Sequence, residues 1–439
     1  MAGPRPPGAD VRQVTLATGE PKRTITIRTG AVTYSDDARR FPAATSPIPS
    51  AWDIALEPTT LVSASATDPP PCPTRAWDIA GIDHIRVCVG NALQAAHFYV
   101  CVFGMEIAAC RRPETSPHGH AEYVLASGGV RFVVTGGAEP DSPAARWAAT
   151  HGDGVSDIAL EVRNLEEGLA HAVAAGARVL QEPRREQDRF GEVRTAAIAT
   201  YGELRHTVVE RGSYRGPFLP GFEPPAPGGP RPTGPPLFHG IDHVVGCVEL
   251  GLLDEWVDFY RRTMGFSLMA EFVGEDISTT YSALMSKVVA DGTRKVKLPL
   301  NEPAVGARRS QIDEYLAYHR GPGTQHIALE TDDIVAATDA LRAAGVAFLP
   351  TPNTYYDDPR LRTRIGSVRV DIAELRSRGI LVDRDADGYL LQIFTRPLVD
   401  RPTFFVELIE RHGSQGFGKG NFKALFEAVE REQERRGNL

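Results

Sequence analysis

The sequence predicts an α+β fold of two tandem modules, each made of two strand–helix–strand–strand–strand units curling into an open barrel. Three observations predict it. Residues 81–90 read GIDHIRVCVG and residues 240–249 read GIDHVVGCVE, so two segments open on one phrase. Residues 152–183 and 321–352 form a second pair of parallel blocks, each running through IALE into a helical stretch. Between the copies lies GFEPPAPGGPRPTGPP (221–236), where proline removes donors and favours extended chain, the signature of a linker. The expected division is an extension (1–78), a first module (79–220), the linker (221–236) and a second module (237–439).

The extension carries PRPPG, SPIPS and DPPPCP with few large apolar residues. It offers too little surface to offset chain entropy and is expected to be disordered. A start codon set too far upstream would also account for it. TITIRTGAVTY (24–34) alternates like a strand, but nothing nearby offers it a sheet partner. Each module then begins with an alternating strand followed by a helix. Leu93, Ala96, His97 and Val100 fall at helical spacing, as do Leu252, Trp256, Phe259 and Tyr260. Phe103-Gly104 and Met264-Gly265 mark the turns, and runs such as AEYVLASGGVRFVVTG (121–136) supply further strands. In such a barrel the first strands point side chains inward.

A net charge of -8 with both signs interspersed argues against a general nucleic-acid binder. No apolar run is long enough for a membrane helix, and MAGPRPPGADVRQ lacks the apolar core of a secretory signal. The five cysteines show no CxxC pairing, and Cys88, Cys101 and Cys247 sit in apolar runs where the thiol packs as a small hydrophobe. A cytoplasmic, reduced protein is expected.

Strand alternation puts His243 on one face with Val245 and Cys247, His326 with Ala328, and Glu407 with Phe405 and Ile409. Three strands of one barrel can therefore aim two imidazoles and a carboxylate at one point. That set suits non-haem Fe(II), leaving open positions for substrate and oxygen. Fe(II) with two neutral imidazoles and one carboxylate carries one positive charge, which a carboxylate substrate would neutralise. The competing reading is that each histidine is a hydrogen-bonded core residue, and spacing alone does not decide between them. In the first module His84 matches His243, but Asp157 stands for His326 and Thr207 for Glu407. That module reads as a non-catalytic copy in which His84 is structural.

The chain from about 79 to 439 resembles the 4-hydroxyphenylpyruvate dioxygenase family of the vicinal-oxygen-chelate superfamily. The resemblance rests on DHVVGCVE, YSALMSKVV, LPLNEPA, SQIDEYL, GTQHIALET, DRDADGYLLQIFTRP, FFVELIERHG and GFGKGNFKALFEAVE. It implies two tandem vicinal-oxygen-chelate domains, with Fe(II) held by His243, His326 and Glu407. It also implies conversion of 4-hydroxyphenylpyruvate and O2 to homogentisate and CO2 in tyrosine catabolism, the 2-oxo acid supplying two electrons. Ser282, Pro299, Asn301, Gln311, Gln325 and Gln392 match the family's substrate pocket, with Phe394, Phe405 and Phe422 lining the ring site. Neutral amides can orient a phenol without adding charge; read without the resemblance, Gln311 is a surface residue and the three phenylalanines are core. GFGKGNF (416–422) lacks the features of a phosphate loop and reads as a hinge. Asn421 is the expected N-cap of a terminal helix whose stripe is Phe422, Leu425, Phe426 and Val429. With Phe417, Gly418 and Gly420 this segment is expected to form a lid. Family members are dimers or tetramers, so a homo-oligomer is expected. The alternatives are a 4-hydroxymandelate synthase with the same iron and substrate, an extradiol dioxygenase, or a metal-free small-molecule-binding protein on the same fold.

Overall fold

The computed structural model describes residues 11–15, 24–28, 76–232, 234–272, 283–304 and 310–437. Two units separate, residues 1–69 and 70–439. In the first, β1 (Val11–Thr15) pairs antiparallel with β2 (Thr24–Arg28), Val11 opposite Arg28. The strand expected at 24 thus has a partner in the segment VRQVT just upstream, which corrects the expectation that nothing nearby offers one. The other residues of the expected extension up to 75 lie outside the described residues.

In the second unit the first copy runs β3 (Ile79–Cys88), α1 (Ala92–Phe103), β4 (Glu106–Arg111), β5 (His120–Ser127), β6 (Val130–Gly137) and α2 (Pro143–His151). It continues through β7 (Gly154–Val162), α3 (Leu165–Ala174), β8 (Val179–Asp188), β9 (Gly191–Ala199) and β10 (Arg205–Glu210). The second copy repeats it with β11 (Gly240–Cys247), α4 (Leu253–Met264), β12 (Ser267–Phe272), β13 (Ala283–Ala290), β14 (Lys297–Ala304) and α5 (Gln311–His319). There follow β15 (Gly323–Glu330), α6 (Ile334–Ala343), α7 (Asn353–Asp357), α8 (Pro359–Ile365) and α9 (Ile372–Arg378). It closes with β16 (Leu381–Arg384), β17 (Tyr389–Phe394), β18 (Phe405–His412) and α10 (Phe422–Arg435). The sheet orders are β4-β5-β6-β3-β7-β10-β9-β8 and β12-β13-β14-β11-β15-β18-β17-β16, one topology used twice.

The expected grammar of two strand–helix–strand–strand–strand units per copy therefore holds, in two curled eight-stranded sheets. The first strands of paired units lie side by side at the middle of each sheet, antiparallel. Each parallel neighbour is the last strand of its own unit, as β11–β14 and β15–β18. The helices cover the outer face: α1 buries Ala96, Tyr99, Val100 and Phe103, and α4 buries Val257, Tyr260 and Met264. Both end on a left-handed glycine, Gly104 at φ 65° and Gly265 at φ 69°, as the turn signals predict.

Two edges of the expected division shift. Trp77, placed in the extension, is buried, and its indole Nε1 donates to the Thr263 carbonyl at 3.0 Å. Two residues ahead of β3, it stands outside that strand's alternation, and its partner is distant in sequence. Phe222 and Glu223, placed in the linker, belong to the first copy: Phe222 is buried under the Arg111 guanidinium, and Glu223 bridges to Cys110. Among the described residues no helix is long and apolar enough to cross a membrane.

Candidate metal centre and substrate cavity

β11 and β15 are neighbours with Val245 opposite His326, and β15 runs parallel to β18 with Ala328 beside Glu407. Adjacent strands lie about 4.8 Å apart, so inward side chains on three of them converge. His243, His326 and Glu407 do: their ligand atoms all fall within 4.8 Å of one another, and all three residues are buried. Glu407 Oε2 stands 3.2 Å from His243 Nε2 and 3.5 Å from His326 Nε2.

The ring orientations are set from behind. His243 Nδ1 meets Asp242 Oδ1 at 2.6 Å, and His326 Nδ1 meets Gln325 Oε1 at 3.1 Å. With Nδ1–H donating backwards, each Nε2 lone pair is turned to the common point. Asp242 is held by Arg411 at 2.6 and 2.9 Å and by Lys297 at 2.8 Å. Burial opposes its charge, but Arg411 and His243 outweigh burial and keep its carboxyl well below the usual range. For His243 burial disfavours the imidazolium, yet Glu407 and Asp242 raise its pKa above the ordinary value. A metal ion at that point would replace the proton. His326 is shifted down, chiefly by burial, toward the neutral form that ligates. Burial alone would raise Glu407, but His243 lowers it, keeping the carboxylate charged. Two imidazoles and one carboxylate, dry and converging, fit a divalent first-row metal.

The cavity in front of them, about 70 Å³, is lined by Pro299, Asn301, Gln311, Gln325, Gln392, Phe394, Phe405, Phe417, Phe422 and Leu425. Phe405 stacks on the His326 ring at 4.7 Å, and Phe394 meets it edge-on at 6.0 Å. Gln311 is the first residue of α5, whose start is fixed by a capping box between Ser310 and Asp313. It turns inward, so the surface reading that periodicity favours is wrong. Ser282 lies outside the described residues. The sequence reading missed Phe272, Leu284, Ser286 and Val288, whose strand alternation carried the signal, and the supports Asp242, Lys297 and Arg411.

The terminal segment closes the cavity. Phe417 meets His243 edge-on at 5.2 Å, and Phe422 packs on Phe272 at 4.9 Å. Gly418 has φ 72°, and a Cβ there would fall 2.6 Å from Gln392 Oε1, so the backbone approach needs glycine. The Gly420 amide donates to Asp383 at 2.8 Å. Asn421 does not cap α10 with its side chain; its Oδ1 accepts from the Tyr355 hydroxyl at 2.7 Å, because a 3₁₀ turn, Lys419–Asn421, runs straight into the helix. Leu425 and Val429 face the cavity from α10, while the side chain of Phe426 lies outside the described residues.

The profile of the glyoxalase/bleomycin resistance protein/dioxygenase superfamily matches residues 81–194 and 240–393, one match in each copy. The 4-hydroxyphenylpyruvate dioxygenase of Yarrowia lipolytica is 44% identical over 369 residues, covering 82% of this chain and 93% of that protein. That of Dictyostelium discoideum is 43% identical over 365 residues, covering 82% and 100%. Among solved structures, a triple mutant of 4-hydroxymandelate synthase from Streptomyces coelicolor superposes with TM-score 0.71 at 35% identity, covering 81% and 99%. With one profile matched by both copies and the relatives spanned nearly end to end, the chain belongs to the 4-hydroxyphenylpyruvate dioxygenase family.

Proposed function

We propose that the protein is an Fe(II)-dependent dioxygenase that converts 4-hydroxyphenylpyruvate and O2 to homogentisate and CO2 in tyrosine catabolism. The observation that carries this is the convergence of His243, His326 and Glu407 at the end of a cavity walled by amides and phenylalanines. Iron, when bound, supplies a centre where the 2-oxo acid and O2 meet, decarboxylation providing the electrons. Asp242 and Gln325 hold the imidazoles in the ligating tautomer. Phe394, Phe405 and Phe422 flank the aromatic ring, and Asn301, Gln311 and Gln392 offer hydrogen bonds to its phenol without placing charge beside it. Phe417, Phe422, Leu425 and Val429 form one wall, so entry and release require the terminal segment to move; shut, it excludes water.

Within this proposal the protein works in the cytoplasm as a dimer or tetramer and binds neither nucleic acid nor membrane. The test is incubation with Fe(II), ascorbate, O2 and 4-hydroxyphenylpyruvate, with products separated and identified by mass. Homogentisate is the expected product. 4-Hydroxymandelate would retain the iron site and overturn the ring-hydroxylating role. No oxygen uptake by a folded, iron-loaded sample would leave binding alone.

A further inference from the structure

The substrate cavity has a counterpart in the first copy, and strand registers match its walls position by position. Arg86 faces Asp157 across β3 and β7 as Val245 faces His326 across β11 and β15. Arg111 faces Glu122, and Glu122 faces Thr135, as Phe272 faces Ser286 and Ser286 faces Asn301. Arg205 lies beside Asp157 as Phe405 lies beside His326, and Ala197 opposite Thr207 as Phe394 opposite Glu407. At three of these positions an apolar side chain of the second copy is an arginine in the first.

The metal set is dismantled with its replacements paired. The Thr207 amide donates to Asp157 at 2.9 Å, and Arg205 Nε donates to it at 2.9 Å. Among the described residues nothing fills the space between these groups. It measures about 450 Å³, inside the range of roughly 300–1,000 Å³ found for small-molecule sites. A barrel kept for packing alone would close such a volume with apolar side chains, since buried charge is costly.

Its charges cancel only when Glu203 at the rim is counted; inside the barrel they do not. Arg86 and Arg111 share one carboxylate, Glu122, and Arg205 pairs with Asp157. Three guanidiniums thus meet two carboxylates, leaving one positive charge. Arg184 and Glu186 offset each other at 3.4 Å, and Glu203 lies on the exposed rim beside His151. The Nε of Arg86 and that of Arg111 find no acceptor among the described residues. A monoanion in the cavity beside Arg86 and Arg111 would offset the charge that Glu122 alone now shares. The positions of Phe394 and Phe405 are Ala197 and Arg205 here, so the two-phenylalanine ring slot of the second copy is not repeated.

We propose that the first barrel is a second binding site, taking a small aliphatic carboxylate held by Arg111 and Arg86. The site is separate from the metal centre, and its ligand does not react there, because the ligating His326 and Glu407 have become Asp157 and Thr207.

The experiment is calorimetric titration of the full-length, iron-loaded protein with acetate, lactate and succinate, using acetamide and lactamide as neutral controls and inorganic phosphate as the rival anion. At least one carboxylate should bind once per chain beyond any binding at the iron, and the amides should not. Arg111→Met leaves the Arg86–Glu122 pair intact and should weaken binding at least tenfold while dioxygenase turnover persists. Arg86→Met with Glu122→Met removes that pair as a unit and should do the same, turnover again reporting the fold. Glu407→Ala should leave this binding unchanged. The proposal is overturned if no carboxylate binds, if phosphate alone binds, if both arginine variants bind like the parent, or if Glu407→Ala abolishes the binding.

Discussion

Arg411 grips Asp242 through two hydrogen bonds of 2.6 and 2.9 Å, and Asp242 in turn holds His243 Nδ1 at 2.6 Å. The first copy repeats the chain of contacts: Arg211 holds Asp83 at 2.5 and 2.8 Å, and Asp83 holds His84 at 2.6 Å. The shared phrase Gly-Ile-Asp-His therefore encodes a buried strand anchor, and among the described residues only the second copy completes a metal-ligating set on it. Asp242→Asn keeps the size but removes the charge that orients His243. Metal affinity should fall roughly 10–100-fold. Competition against a chelator of known affinity checks this, with circular dichroism unchanged.

Glu407→Ala removes the one negative ligand. Homogentisate formation should be lost while the β15–β18 pairing, which is a backbone ladder, persists. Product analysis beside a thermal melt separates the two effects. Near-parental turnover in a folded sample would mean that the metal lies elsewhere.

The terminal segment is clasped by Asp385, which accepts from the Ser414 hydroxyl at 2.6 Å and from the Gln415 and Gly416 amides at 3.0 and 2.8 Å. Burial would raise its pKa, but the Ser414 hydroxyl and the Gly416, Asp387 and Gly388 amides outweigh burial and lower it to about 2. A carboxyl lowered on folding stabilises above its ordinary value, 3.8, and the gain is lost as pH falls from there toward 2. Lid behaviour carried by Asp385 should thus not vary between pH 5 and 8. Asp385→Asn should speed amide exchange over residues 413–420 at pH 7 by roughly tenfold, a loss of one charged hydrogen bond. Hydrogen exchange read by mass spectrometry decides.

Gly418→Ala places a Cβ 2.6 Å from Gln392 Oε1 on a backbone at φ 72°. The left-handed penalty is about 1–2 kcal/mol, and Gln392 or the loop must move. KM for 4-hydroxyphenylpyruvate should rise severalfold while the melting temperature falls by only about 2–4 °C per kcal/mol; steady-state kinetics and a thermal melt measure both.

His319 stacks on His151 at 4.4 Å where the two copies meet, and His151 Nδ1 donates to the His319 carbonyl at 2.7 Å. Burial first, then His151 and Arg401, lower the His319 pKa to about 4. Its folded state favours the neutral ring, so stability is full above 6.5 and declines as pH falls toward 4, by up to about 3 kcal/mol. His319→Gln should flatten the melting-temperature profile across that window.

The sequence by itself determined what repeats and alternates. The duplicated phrases gave two copies of one topology, and strand alternation put His243, His326 and Glu407 on inward faces, because both depend on local backbone geometry. Tertiary structure decided which of those faces share a point. The antiparallel β11–β15 pairing and the parallel β15–β18 pairing, between strands distant in sequence, bring the ligands within reach. It also decided Gln311, which helical spacing alone leaves on the surface, and Trp77, whose partner Thr263 lies 186 residues away. Arg86, Arg111 and Arg205 look like scattered surface charges in the sequence. Only the sheet registers show them standing where the other copy keeps valine and phenylalanine, because burial and pairing belong to the folded neighbourhood rather than to the chain.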